Sequence, residues 1–267
     1  MDILHEIAER TKARVAARKK AVPPARMEEM AQSLFRGGLH STPGFPFEEA
    51  LRSDGVAFIC EVKKASPSKG VISEEFPYVD IAREYEAAGA AAISVLTEPD
   101  YFLGDDRHLR EIAGAVPIPL LRKDFTVDSY MIHEAKVMGA SAVLLICALL
   151  DKGALAEYIS VARNLGLSAL VETRSEAEIG MALDVGAGIV GVNNRNLRTF
   201  EVDVALSGRL RDLVPKDVIF VSESGVRTAE DIEGLRRAGV DAVLIGEALM
   251  RAPDKRAMLE GLKGGAK

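Results

Sequence analysis

The chain has 267 residues, a net charge of −6 at pH 7, 48% hydrophobic and 28% charged residues, a balance that fits a folded globular protein and excludes disorder or a coiled coil. An acidic surface excludes the broad positive field of a nucleic-acid binder, so any anionic ligand must be held by a local cluster of positive groups. No run approaches the roughly 18 apolar residues of a membrane span, and Met1-Asp2-Ile3-Leu4-His5-Glu6 lacks the basic-then-apolar order of a secretory leader, so the expected compartment is the cytoplasm.

From Asp2 to Lys20, apolar Ile3, Ile7 and Val15 alternate with charges, as in an amphipathic helix whose last turn holds Arg18-Lys19-Lys20 against the negative end of its dipole. Pro23-Pro24 stops it. A second helix is expected over Ala25 to Phe35, ended by Gly37-Gly38, and a short third one around Phe45-Pro46-Phe47-Glu48-Glu49. This front part, residues 1–50, carries no strand signal.

After Asp54-Gly55 the pattern changes to short apolar runs alternating with amphipathic segments. The runs are Ala57 to Val62, Ala91 to Leu96, Pro119 to Arg122, Ala142 to Cys147, Ser168 to Val171, Ile189 to Val192, Val218 to Val221 and Val240 to Ile245. Most are preceded by a helix-ending glycine: Gly89, Gly139, Gly166, Gly186 or Gly239. Before the third and seventh runs Pro117 and Pro215 stop the helix instead. Strands alternating with crossover helices pair in parallel, and their unbroken apolar character fits burial on both faces. Eight such units predict an α/β fold, a (β/α)8 TIM barrel over residues 56–267 with an N-terminal helical extension, the whole chain forming one domain. Cys60 and Cys147 fall inside apolar runs as small hydrophobes, and two cysteines make no metal pattern.

In this fold the chemistry gathers where the strands end. Glu61 and Lys63 follow the first run two residues apart, hence on one face. Ser66-Pro67-Ser68-Lys69-Gly70 then reads as a loop. The other run ends carry Thr97-Glu98, Lys123-Asp124-Phe125, Glu172, Asn193-Asn194-Arg195-Asn196, Ser222-Glu223-Ser224-Gly225 and Gly246-Glu247. Ser224-Gly225 and Gly246-Glu247 stand where such barrels bind phosphate, before helices expected near Thr228 and Glu247, which implies a phosphorylated small molecule. Lys63, Lys123, Glu61 and Glu172 supply acids and bases: desolvation and like charge lower a lysine's pKa, and an apolar mouth raises a carboxylate's. His5, His40, His108 and His133 lie away from the strand ends. No Gly-x-Gly-x-x-Gly follows a strand, so a dinucleotide is not expected. The residues alone leave three readings open: acid–base chemistry on a phosphorylated sugar, a Schiff-base aldolase using Lys123 or Lys63, and a barrel that only binds phosphate metabolites.

Several segments together resemble the indole-3-glycerol phosphate synthase family. They are Glu61-Val62-Lys63-Lys64-Ala65-Ser66-Pro67-Ser68, Ser94-Val95-Leu96-Thr97-Glu98, Leu121-Arg122-Lys123-Asp124-Phe125, Leu170-Val171-Glu172, Gly191-Val192-Asn193-Asn194-Arg195-Asn196-Leu197 and Val221-Ser222-Glu223-Ser224-Gly225. The resemblance implies ring closure, decarboxylation and dehydration of 1-(2-carboxyphenylamino)-1-deoxyribulose 5-phosphate, with no cofactor needed as an electron sink. It implies Lys123 as general acid and Glu172 as base of the dehydration, with Glu61 and Asn193 beside it. Lys63 matches a lysine that binds a substrate anion or shares the acid role. Ser66 and Arg195 match substrate-binding positions, and Ser224, Gly225, Gly246 and Glu247 the phosphate and hydroxyl loops. Phe102 and Phe125 are candidates for packing on the aromatic ring. Asn194 receives no role. The expected partner is the small substrate, with no nucleic acid or membrane, and the expected state is a monomer or weak homo-oligomer.

Overall fold

The computed structural model describes residues 3–36, 44–52, 55–196 and 199–264; Met1, Asp2, Gly37, Gly38, His40, Asp54 and Leu197 lie outside the described residues. Eight strands, β1 (Ala57–Val62), β2 (Ala92–Leu96), β3 (Leu120–Lys123), β4 (Ala142–Ile146), β5 (Ser168–Thr173), β6 (Ile189–Asn193), β7 (Ile219–Glu223) and β8 (Ala242–Ile245), form a closed barrel. Every neighbouring pair is parallel, and β1 pairs with both β2 and β8.

The period of two along each strand sorts its side chains between two cores. Phe58, Cys60 and Val62 of β1 point outward into the layer shared with the helices. Ala57 and Ile59 point inward, where Ala92, Ala142 and Ala242 alternate with Leu121, Leu170 and Ile219 to fill the barrel. The glycines expected before β2, β4, β5, β6 and β8 have φ between 66° and 89°, so each of those helices ends in a left-handed residue before the chain turns into the next strand.

The extension holds the barrel at both ends. Helix α1 (Ile3–Ala21) lies across the C-terminal rim, where Leu4 joins the inward core. It is followed by α2 (Pro24–Arg36) and α3 (Pro46–Leu51). Helix α3 plugs the opposite end with buried Phe47 and Leu51, and Arg52 after it donates to the Asp217 carbonyl just before β7 at 2.8 Å. Outside the barrel run α4 (Tyr78–Ala87), α5 (Asp106–Ala113), α6 (Tyr130–Val137), α7 (Lys152–Asn164), α8 (Glu176–Asp184), α9 (Ala205–Leu210), α10 (Ala229–Arg237), α11 (Glu247–Arg251) and α12 (Lys255–Leu262).

Two details differ from the sequence reading. Arg18 and Lys19 do more than oppose a dipole. Arg18 pairs with Asp106 of α5 at 2.9 Å and Glu134 of α6 at 3.1 Å, and Lys19 with Asp128 at 2.6 Å. Both thereby staple α1 to the barrel. Cys147 lies past β4 and opens a short 3-10 turn, Cys147–Leu149, although it stays buried as expected. Among the described residues no helix is long and apolar enough to cross a membrane.

Candidate active site

A basin of about 680 Å³ opens at the C-terminal rim, and every residue given a role there lines it: Glu61, Lys63, Ser66, Phe102, Lys123, Phe125, Glu172, Asn193, Arg195, Ser224, Gly225, Gly246 and Glu247; Thr97, Glu98, Asn194, Asn196 and Ser222, also expected at strand ends, do not. The inward parity of the strands brings the lining residues together. Lys123 continues the face of Leu121, Glu172 that of Leu170, and Asn193 that of Ile189.

At the floor, Lys123 Nζ donates to Glu172 Oε2 and to Glu223 Oε2, each at 3.0 Å. Beside them Lys63 is bonded to Glu61, and Ser94 Oγ points to the other Glu61 oxygen at 3.5 Å. Burial acts to lower the Lys123 pKa, but Glu172, Glu223 and Glu61 outweigh it and hold the ammonium above its ordinary value. The expected lowering of a crowded lysine is thus corrected: Lys123 is crowded by carboxylates. The expected raised carboxylate does occur, but at Glu223, which burial pushes up to about 7 against the opposing pull of Lys123.

Glu223 was not among the residues given a role. It was legible all the same, because Ile219, Val221 and Glu223 share one face just as Glu61 and Lys63 do. Two glycines, Gly191 within β6 and Gly246 just after β8, make room for these carboxylates. A Cβ at Gly191 would strike Glu223 Oε1, and one at Gly246 would strike Glu61 Oε1 and the Lys63 ammonium. Also unforeseen is the contribution of α1, whose Ile3, Leu4 and Ile7 line the basin next to Phe102 and Phe125. The two phenyl rings lie 6.0 Å apart at 44° and give the basin an aromatic wall.

The opposite wall suits an anion. Ser224 and Gly225 both have positive φ, 67° and 97°, and Gly225 is pressed by Val202 and Val204, so a Cβ there would lie 2.7 Å from each. The N-terminus of α10 is not free for a ligand: Thr228 and Asp231 form a reciprocal capping box over it. The short helix α11 begins at Gly246 with no side-chain cap, leaving its amides open beside the Gly225 loop. Glu247 is approached by Lys69 at 3.6 Å, Arg195 at 3.9 Å and Arg251 at 3.4 Å. Three cations therefore converge on one rim carboxylate. Lys69 comes from the loop after β1, whose base is a two-residue antiparallel ribbon joining Ala65–Ser66 to Gly70–Val71.

Among the described residues no histidine lines the basin, and no group of three or more His, Cys, Asp or Glu side chains is arranged to hold a metal ion. Parallel barrels that combine buried ammonium–carboxylate pairs with a glycine-bounded anion cradle at this rim are enzymes acting on phosphorylated small molecules, and this chain is of that class. Residues 4–262 match the family model described as indole-3-glycerol phosphate synthase, and the chain belongs to that family.

Curated relatives agree. The chain is 57% identical over 264 residues to indole-3-glycerol phosphate synthase of Ruminiclostridium cellulolyticum, covering 99% of this chain and 100% of that one. It is 49% identical over 267 residues to the enzyme of the same name from Lachnoclostridium phytofermentans, with 98% of each covered. Among solved structures, 3-hexulose-6-phosphate synthase from Salmonella typhimurium superposes with a TM-score of 0.65 at 13% identity, over 78% of this chain and 97% of that one. Thiamine phosphate pyrophosphorylase from Pyrococcus furiosus does so at 0.58 and 18%, over 80% and 96%. These two likenesses speak to the fold alone.

Proposed function

We propose that this chain converts 1-(2-carboxyphenylamino)-1-deoxyribulose 5-phosphate to indole-3-glycerol phosphate, CO2 and water in tryptophan biosynthesis, with the acid–base work done by the Lys123 cluster. The observation that carries this reading is Lys123, held charged between Glu172 and Glu223 at 3.0 Å each on the floor of a basin with an aromatic wall and an anion wall.

The ring carbon that bears the carboxylate attacks the ribulose carbonyl, and negative charge grows on the carbonyl oxygen. Lys123 donates a proton there. Its raised pKa is no obstacle, because a developing alkoxide is far more basic than the ketone, and a charged donor in a desolvated site stabilises that oxygen even before transfer. Loss of CO2 from the same ring carbon leaves its bonding electrons to restore aromaticity, so no external electron sink is required. Dehydration then removes the new hydroxyl as water and a proton from the neighbouring carbon. Glu172 accepts that proton, and the basin's second ammonium, Lys63, protonates the departing hydroxyl, since Lys123 has already given up its proton.

The Lys63–Glu61 pair provides a second ammonium for a substrate anion or for proton relay. Asn193 Oδ1 is already taken by the Arg195 N–H at 3.0 Å, which leaves the amide's own N–H groups to orient a hydroxyl. Arg195, Ser66 and the Ser224, Gly225, Gly246 and Glu247 loops bind the charged ends, and Phe102 and Phe125 pack the anthranilate ring. The biosynthetic role supports a cytoplasmic setting.

Mixing the protein with the anilino-ribulose phosphate should produce indole fluorescence, and Lys123→Ala should lose on the order of 10²–10⁴ in kcat while folding normally. No fluorescence from the wild-type protein would refute the reading. A substrate adduct reduced onto Lys123 by borohydride would replace the acid role with Schiff-base chemistry.

A further inference from the structure

Directly behind the anion wall lies a buried amide with all four hydrogen-bonding positions filled. Asn194, the first residue beyond β6, is fully buried. Its Nδ2 donates to Ser222 Oγ at 3.1 Å and to the Ser224 carbonyl at 3.0 Å. Its Oδ1 accepts from the Ser207 N–H at 3.1 Å and from Ser207 Oγ at 2.8 Å. An amide side chain has two donors and two acceptor positions, so none is left over.

Two of these partners stand at the basin: Ser224 lines it and Ser222 precedes Glu223, which lines it, while Ser207 belongs to α9, which follows the lining residues Val202 and Val204. Ser224 has φ of 67°, a left-handed conformation rarely adopted by a residue with a side chain, and Ser224 and Gly225 both line the cavity. A bond to its carbonyl opposes relaxation of that strained peptide. Ser207 lies in the first turn of α9, whose own N-cap, Val204, offers no side-chain acceptor, so Asn194 caps that helix from a neighbouring strand. The Asn194 backbone carbonyl also accepts from Asp203 N–H at 3.0 Å, which fixes the segment from which Val202 and Val204 press on Gly225.

We infer that Asn194 is a positioning residue for binding of the substrate's phosphate: it locks the left-handed Ser224-Gly225 turn and couples it to the start of α9. The inference rests on the phosphate assignment made above for that loop. Buried polar groups whose bonds are all satisfied rigidify their surroundings, and losing one partner exposes the desolvation cost of the others.

The test is inhibition by inorganic phosphate, with KM and kcat measured in parallel. Asn194→Asp has the same shape but cannot donate to Ser224. It should raise KM and the phosphate inhibition constant about tenfold or more, with kcat changed by less than about threefold, as expected when binding common to ground and transition states is lost. Ser207→Ala keeps both Nδ2 bonds and should lower the melting temperature with KM nearly unchanged. If Ser207→Ala raises KM as much as Asn194→Asp, the effect is general loosening and the inference is wrong. If Asn194→Asp fails to fold, amide exchange in the wild-type protein decides: phosphate should slow exchange of the Ser207 amide several-fold, and no change refutes the coupling. A Gly225→Val variant that is still inhibited normally by phosphate would instead overturn the phosphate site itself, which keeps the two failures distinct.

Discussion

The Lys123 ammonium stands 3.0 Å from Glu223 Oε2, while the other oxygen of that carboxylate is buried without a hydrogen-bond partner among the described residues. Glu223 thus meets a positive charge on one side and an apolar wall on the other. Burial prevails, and its pKa rises to about 7 even with an ammonium in contact. The cluster of Glu61, Glu172 and Glu223 around Lys123 therefore changes its proton content near neutrality.

Glu223→Gln separates the two consequences. The folded protein holds a proton on Glu223 up to about pH 7, whereas the unfolded chain releases it near the ordinary carboxylate value. Stability from that proton is full at low pH and is lost as pH rises through the folded pKa. Glutamine has no such proton to lose. From pH 5 to pH 8 the stability of Glu223→Gln should therefore gain on wild type by something on the order of 1–3 kcal/mol, read from denaturant or thermal melts. A gap that stays constant would place the Glu223 pKa at its ordinary value. In activity, loss of one of the carboxylates that raise the Lys123 pKa should move the alkaline limb of the kcat profile to lower pH.

Gly191→Ala should reproduce the activity part of that phenotype without touching a titratable group. The backbone there is compatible with alanine, but the added methyl meets Glu223 Oε1 and, at 3.1 Å, a Leu170 methyl. Glu223 must then swing off Lys123. The expected loss in kcat is about tenfold or more, and in a Glu223→Ala background, where the methyl finds space, the same change should do little further harm. Additive losses in the double variant would show that Gly191 acts some other way.

All eight strands were legible because their apolar runs are continuous and most of their helices end in glycine, yet four of the catalytic-end boundaries fell short. The runs stop at Arg122, Val171, Val192 and Val221, while the strands continue to Lys123, Thr173, Asn193 and Glu223. The charged residues interrupt the hydrophobic pattern without interrupting the backbone ladder. They remain in strand conformation because they point into the barrel mouth and satisfy one another there. What stayed hidden was long-range: that α1 would fold over the rim, that Arg14 would reach Glu98, and that Asn194 would span three elements. Such partners are 84, 30 or 13 residues apart in sequence, and no local period encodes them.

Arg195→Ala should act on binding more than on chemistry. The guanidinium is anchored by the Phe200 carbonyl at 3.2 Å and shares Glu247 with Lys69 and Arg251, so its charge is directed at the rim. A charge-assisted hydrogen bond contributes roughly 1.5–3 kcal/mol, so KM should rise about tenfold to a hundredfold with kcat within a few-fold. A variant with normal KM would show that the substrate's anions are held elsewhere.

Glu98 offers the sharpest separation of the aromatic end from the phosphate end. Its carboxylate, fully buried, accepts from the backbone N–H groups of Asp100 at 3.0 Å, Tyr101 at 2.7 Å and Phe102 at 3.1 Å, and Arg14 of α1 neutralises it at 3.3 Å. The loop is thereby wound around one side chain, and the Phe102 carbonyl in turn accepts from Ala65 N–H at 3.2 Å, which ties it to the loop after β1. Glu98→Ala removes three charge-assisted hydrogen bonds at once and leaves Arg14 without one of its two carboxylates. Phe102 should lose its fixed place beside Phe125, so affinity for the indole-bearing product should fall about tenfold or more. Inhibition by inorganic phosphate should stay near normal, because the Gly225 and Gly246 loops rest on other strands. Glu98→Gln keeps one acceptor oxygen but turns an N–H2 toward the same amides, so it should fall between alanine and wild type. Equal losses toward the aromatic product and toward phosphate would mean that Glu98 supports the whole rim and not the ring-binding wall.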